Sequence, residues 1–168
     1  MNRDIATQGL EVLTLTLGGQ VFAIEAAHVR EILDLVAVTE VPTADPFVGG
    51  LINVRGKVVP LADLRHRFDM PRPEPSVDTR IIVLEVELAD EAMTVALIAD
   101  KVHEVTEIAA SALEETPRIG LRWRQDYIRC IAKRDGEFIV VLDIAAIFSV
   151  ETRRSDRPDD RSKASNAA

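Results

Sequence analysis

The feature that most narrows the fold is a repeat. Residues Asp45 to Phe68 read D-P-F-V-G-G-L-I-N-V-R-G-K-V-V-P-L-A-D-L-R-H-R-F, and a weaker copy lies 80 positions later, with Gly136, Asp143, Ile144 and Phe148 opposite Gly56, Asp63, Leu64 and Phe68. Further upstream, Val102-His103-Glu104-Val105 matches Val29-Arg30-Glu31-Ile32 at an offset of 73. Each copy spans roughly 65–70 residues of short strand patterns, a size at which burial is marginal for a lone unit. The two copies therefore pack together, as two small β-barrels related by an approximate two-fold axis with a groove between them.

Local patterning supplies the elements. Leu10 to Leu17 alternates Leu13, Leu15 and Leu17 with Thr14 and Thr16, the period of a half-buried strand, and Gly18-Gly19 has hairpin length before Gln20 to Glu25. Ala26 to Leu33 reads as a short helical turn leading into an extended segment, with Val29, Ile32 and Leu33 on one face. Gly50 to Val54 and Lys57 to Leu61 pair across Arg55-Gly56, and Tyr127 to Lys133 and Glu137 to Leu142 pair across Asp135-Gly136. Asp63 and Asp143 stand where N-cap carboxylates would open the short helices Leu64 to Phe68 and Ile144 to Phe148, with Arg65 and Arg67 solvated. The alternating prolines Pro71, Pro73 and Pro75 read as the internal boundary between a first repeat of about 10–70 and a second of about 79–148. Residues 1–9 read as a flexible N-terminus, 10–150 as the folded domain and 151–168 as a disordered polar tail.

The chemistry-bearing residues do not assemble into an enzyme. His28, His66 and His103 are scattered without H-x-H, H-E-x-x-H or C-x-x-C spacing, and Cys130 is the sole cysteine. Gly49-Gly50 lacks the Lys-Ser/Thr of a phosphate loop, no G-x-S-x-G occurs, and Asp63 and Asp143 share one local position that capping explains. A formal charge of −8, with Trp123 and Tyr127 the only Trp and Tyr, opposes nucleic-acid binding. No apolar run approaches the roughly 20 residues that cross a bilayer. The expectation is a cytoplasmic protein with no cofactor, no metal and no membrane insertion of its own.

The residues Gly50-Leu51-Ile52-Asn53-Val54-Arg55-Gly56-Lys57-Val58-Val59-Pro60-Leu61-Ala62-Asp63-Leu64-Arg65 resemble the G-x-x-N-x-R-G-x-x-x-P-x-x-D-L-R of the CheW family, coupling proteins of bacterial chemotaxis arrays. Phe22-Ala23-Ile24-Glu25 with Val29-Arg30-Glu31-Ile32, then Asp100 to Val105, then Val141-Leu142-Asp143-Ile144 extend the resemblance in order from about Leu10 to Phe148. Cys130 departs from it, standing where the family commonly has glycine and opposite Gly50 in the repeat register.

The resemblance implies an all-β fold of two intertwined five-stranded SH3-like barrels with short helices. It also implies a non-catalytic scaffold, held at membrane receptor arrays through its partners. Those partners would be the cytoplasmic tip of a methyl-accepting chemoreceptor and the regulatory domain of the histidine kinase CheA. By matching family positions, the receptor surface comprises Val29, Glu31, Ile32, Asn53, Arg55 and Gly56. The kinase surface is placed on Tyr127, Arg129, Ile131, Phe138 and Ile119. The plainer alternatives are solvated hairpin residues for Asn53 and Arg55 and core packing for Val29 and Ile32. A stand-alone β-barrel interaction module of another signalling pathway is the competing function, and a cryptic hydrolase a more distant one.

Overall fold

The structure, a computed structural model, describes residues 8–42, 46–116 and 125–155. Ile119, Trp123 and the tail beyond residue 155 lie outside the described residues. Twelve strands and two α-helices follow one another among the described residues. They are β1 (Leu10–Leu17), β2 (Gln20–Glu25), β3 (Val29–Asp34), β4 (Thr39–Glu40), β5 (Gly50–Val54), β6 (Lys57–Ala62), α1 (Leu64–Arg67), β7 (Arg80–Leu88), β8 (Glu91–Ala99), β9 (Lys101–Ile108), β10 (Leu113–Glu114), β11 (Ile128–Arg134), β12 (Glu137–Leu142) and α2 (Ile144–Ser155). The last helix runs through Ser155, into the segment from residue 151 that the sequence reads as a polar tail.

Four hairpins close on two-residue turns whose central residues both have positive φ: Gly18-Gly19, Arg55-Gly56, Ala89-Asp90 and Asp135-Gly136. Such turns share the right-handed twist of the flanking strands, which is why they dominate tight hairpins. Glycine enters this region freely, but Arg55 at φ 52° does not. The left-handed conformation costs a residue with a Cβ about 1 kcal/mol.

The strands form two six-stranded sheets, in the orders β3-β7-β8-β6-β5-β4 and β10-β11-β12-β2-β1-β9. Each curls into a barrel of the SH3-like kind; the sixth strand beyond the expected five is the two-residue edge strand β4 or β10. Barrel one holds β3 to β8, while barrel two holds β9 to β12 and recruits the N-terminal hairpin β1–β2. Equivalent parallel junctions complete them, Leu61 beside Ala96 in barrel one and Val141 beside Ala23 in barrel two. The barrels thus divide at residues 26–28 and at Asp100, and the proline connector lies within barrel one. The sequence repeat changes over at that connector, but each repeat gives its first hairpin to one barrel and its remaining strands to the other.

One apolar cluster spans both barrels, from Leu13, Leu15, Phe22 and Ile24 to Ile82, Leu84 and Leu97, capped by Phe47, Phe68, Tyr127, Ile147 and Phe148. The aromatic contacts obey the pseudo-two-fold. Phe47 meets Phe148 with centroids 5.7 Å apart, and their repeat counterparts Tyr127 and Phe68 meet at 6.1 Å. The backbone carbonyls of Phe47 and Tyr127 likewise accept from the N–H groups of Asp63 and Asp143, at 2.8 and 2.9 Å. Both aspartates cap as expected, Asp63 Oδ1 accepting from the Arg65 N–H and Asp143 Oδ1 from the Ala146 N–H, each at 3.0 Å.

Arg65 is a correction, being only 6% exposed rather than solvated. Its guanidinium donates to Asp63 through Nε and Nη2, each at 2.9 Å, and to Asp100 Oδ1 at 2.6 Å. Asp100 Oδ2 in turn accepts from the Gly18 N–H at 2.7 Å. The network ties α1 in barrel one to the β1–β2 turn in barrel two, at the point where the chain crosses from β8 to β9. Arg67 rides 4.6 Å above the Phe47 ring.

Candidate functional site

Residues Ala26–His28 form a 3-10 turn and Val29–Asp34 a strand, so the helical face expected of Val29, Ile32 and Leu33 does not form. The β-branched residues and the pairing of β3 with β7 decide for strand, with a register shift between Val29 and Glu31. Val29 is half-buried and packs against the shared core, whereas Ile32 is 42% exposed. Ile32 has a repeat counterpart in Val105 on β9, which is 57% exposed.

Four of the six expected receptor residues converge. Arg55 Nη2 donates to Glu31 Oε1 at 2.8 Å, and Asn53 Oδ1 accepts from the Gly56 N–H at 2.8 Å. Asn53 thereby holds the turn that presents Arg55, whose side chain remains 79% exposed. Strands β3 and β5 are separated in the sheet order by β7, β8 and β6, so the Glu31–Arg55 pair spans the curl of barrel one. Below it Leu33 and Val54 pack on the barrel interior of Ile52, Val59, Leu61 and Ile81.

Barrel two carries the same pair in altered form. Glu104, the match of Glu31, accepts from Arg134 Nη2 at 2.7 Å. The arginine has moved one position, to the residue before the turn, and Asp135 occupies the place of Arg55. Direct comparison of Arg55 with Asp135 conceals this pair; the signal that reveals it is the Glu31–Glu104 match.

The expected kinase residues do not form one surface. Tyr127 is 3% exposed and its ring packs against Phe68, so it is a core residue, and its assignment as a surface contact is corrected. Its 80-position match to the buried Phe47 explains the burial. Phe138 is 61% exposed beside Lys133, whose Nζ lies 5.8 Å from the ring centroid. Ile131 is half-buried, cross-strand from Val140, and Arg129 sits at a register shift in β11, its Nη1 3.1 Å from Glu25 Oε2. No such shift occurs between β5 and β6, where Gly50 takes the place of Cys130. A Cβ on Gly50 would come 2.5 Å from Val38 Cγ1, so in barrel one that space is already filled.

A second charged cluster, missed from sequence, lies beside Arg129. Glu25 Oε2 is also 3.4 Å from His28 Nε2. The Glu25 carboxyl is held below its ordinary pKa, chiefly by the hydrogen bond with His28 and, against the opposing effect of burial, by Arg129. The His28 imidazole is raised by that same bond, against burial, with smaller contributions in the same direction from the Glu25 charge and the Glu85 backbone.

A concavity of about 360 Å³ lies on barrel one between Val38, Glu40, Phe47 and Arg72, and none of the expected contact residues lines it. Among the described residues no three His, Cys, Asp or Glu side chains gather as metal ligands. None of the described helices is long and apolar enough to cross a membrane.

Comparison with known proteins decides the family. The profile of the CheW-like domain matches residues 11–152. The chain belongs to the CheW family. It is 31% identical over 95% of its length to the chemotaxis protein CheW of Bacillus subtilis (strain 168), covering 99% of that protein. It is 28% identical over 91% of its length to the chemotaxis protein CheW of Rhizobium meliloti (strain 1021), covering 96% of that protein. The fold matches the crystal structure of the scaffolding protein TtCheW from Thermoanaerobacter tengcongensis with a TM-score of 0.74 and 28% identity, over 84% of this chain and 88% of that one. With the family comes its role, a non-catalytic scaffold of chemotaxis signalling.

Proposed function

We propose that this scaffold couples the cytoplasmic tip of a chemoreceptor to the regulatory domain of the kinase CheA, in the cytoplasm, through separate surfaces. The observation that carries the receptor reading is the Glu31–Arg55 pair, whose guanidinium is anchored at 2.8 Å yet stays largely open to solvent. A guanidinium held on one side retains donors for a carboxylate or carbonyl of a docking helix. Ile32 supplies the adjoining exposed aliphatic contact and Val29 supports the strand from the core side. An amphipathic helix laid on a preformed surface has this mix of apolar and polar anchors.

The kinase surface is assigned to barrel two, on Phe138 and Ile131 with Arg129 at its margin. An aromatic ring that is 61% exposed near the start of a hairpin strand offers the kind of apolar anchor that a partner surface buries. The discriminating experiment is pull-down of the purified protein with a receptor cytoplasmic fragment and, separately, with a CheA regulatory domain. Wild type binds both, Arg55→Asn loses the receptor and Phe138→Ser loses the kinase. Failure of wild type to bind either would overturn the reading.

A further inference from the structure

The chain crosses between the barrels twice, and both crossings are tied by charge. At the β8–β9 crossing the tie is the largely buried pair of Arg65 with Asp100. At the β2–β3 crossing the tie runs through His28. Arg129 of β11 holds Glu25 at the end of β2 at 3.1 Å, Glu25 holds His28 at 3.4 Å, and His28 immediately precedes Val29, which pairs with Leu84, so that its turn packs beside Glu85 on β7. The Glu85 carboxylate is itself engaged by Arg30, at 3.2 Å. Groups facing His28 therefore come from β2, from β11 and from β7, and only the imidazole among them titrates near neutrality.

We propose that His28 is a proton-controlled link between the two barrels: charged, it completes the chain Arg129–Glu25–His28–Glu85 from barrel two to barrel one; neutral, it leaves that chain open at its centre. An imidazolium donates from both ring nitrogens and can serve the Glu25 carboxylate and the Glu85 backbone together, whereas the neutral ring donates from one. Loss of the proton thus releases one of the two barrels, and with it the start of β3, which carries Glu31 three residues on. This inference concerns the joint alone and stands whether or not the partners are those named above.

The test is a pH titration of the full chain followed by NMR, with the His28 signal assigned by its absence in His28→Gln. The His28 midpoint is expected above 6.5, and in Glu25→Gln at or below it. Amide signals of Ala26 to Val29, Glu85 and Arg129 are expected to move with the His28 midpoint in wild type and to stay still over that range in His28→Gln. A His28 midpoint at or below 6.5, or a titration that leaves the Glu85 and Arg129 amides unmoved, overturns the proposal. The wild-type titration decides alone should a variant fail to fold.

Discussion

Glu31 on β3 and Arg55 in the turn after β5 lie 24 positions apart in sequence, with three strands between β3 and β5 in the sheet, yet their side chains meet at 2.8 Å. Glu104 and Arg134 repeat the contact in barrel two at 2.7 Å. A clasp present in both barrels answers a structural need. What barrel one adds is the placement of its arginine at the tip of the turn, in a left-handed conformation that arginine does not favour, where the guanidinium faces outward.

Arg55→Asn separates the two roles. Asn-Gly is a preferred pair for this turn type, so relief of the backbone offsets the lost ion pair, itself worth about 0–1 kcal/mol at the surface. Urea denaturation should show stability within about 1 kcal/mol of wild type, with receptor-fragment binding weakened at least tenfold, about 1.4 kcal/mol. A large loss of stability with binding intact would make the residue structural.

The Arg65 network gives an asymmetric outcome. Asp100→Ala leaves a buried guanidinium with Asp63 as its only remaining carboxylate and the Gly18 N–H unpaired, and should cost about 3–5 kcal/mol. Arg65→Met removes the charge from the buried side and should cost less. Equal losses in denaturant melts would contradict the buried-charge account.

His28 and Glu25 set a pH window for stability. The folded pKa of His28 is raised, so its contribution is fully present below the ordinary 6.5 and is lost as pH rises through the folded value. The folded pKa of Glu25 is lowered, so its contribution is present above the ordinary 4.5 and is lost as pH falls through the folded value. Wild type should exceed His28→Gln in urea midpoint most between those ordinary values, with the gap closing at alkaline pH. A gap constant across that range would exclude the linkage.

Gly50 and Val38 should show coupling. Gly50→Cys, the residue barrel two uses, should destabilise by about 1–3 kcal/mol because the added side chain meets Val38. Val38→Ala in the same chain should recover most of it, since the two residues share one space. Additive losses in a double-mutant cycle would place the clash elsewhere.

Phe138 and Tyr127 divide the expected kinase surface. Phe138→Ser should leave thermal stability nearly unchanged and weaken kinase binding, whereas Tyr127→Ala should cost about 3–5 kcal/mol as a core truncation. Loss of binding by Tyr127→Phe at unchanged stability would reinstate Tyr127 as a contact.

By itself the sequence determined what depends on near neighbours. The alternation of Leu13 and Leu15 with Thr14 and Thr16, the turn residues at Arg55-Gly56 and Asp135-Gly136, and the caps Asp63 and Asp143 each act within a few residues through backbone dihedrals and local hydrogen bonds. The repeat register follows from those local signals, while the family resemblance and the candidate receptor residues rest on the motif from Gly50 to Arg65. Only the tertiary structure decided where each hairpin went. Exchange of β1–β2 and β7–β8 between the halves is driven by burial of a shared core, which pairs residues far apart in the chain and leaves no periodicity at any one of them. That exchange put Tyr127 inside with Phe68, buried Arg65 between two aspartates, and brought Glu31 under Arg55. Packing against a distant strand, not the residue's own polarity, settled whether each of these side chains met solvent.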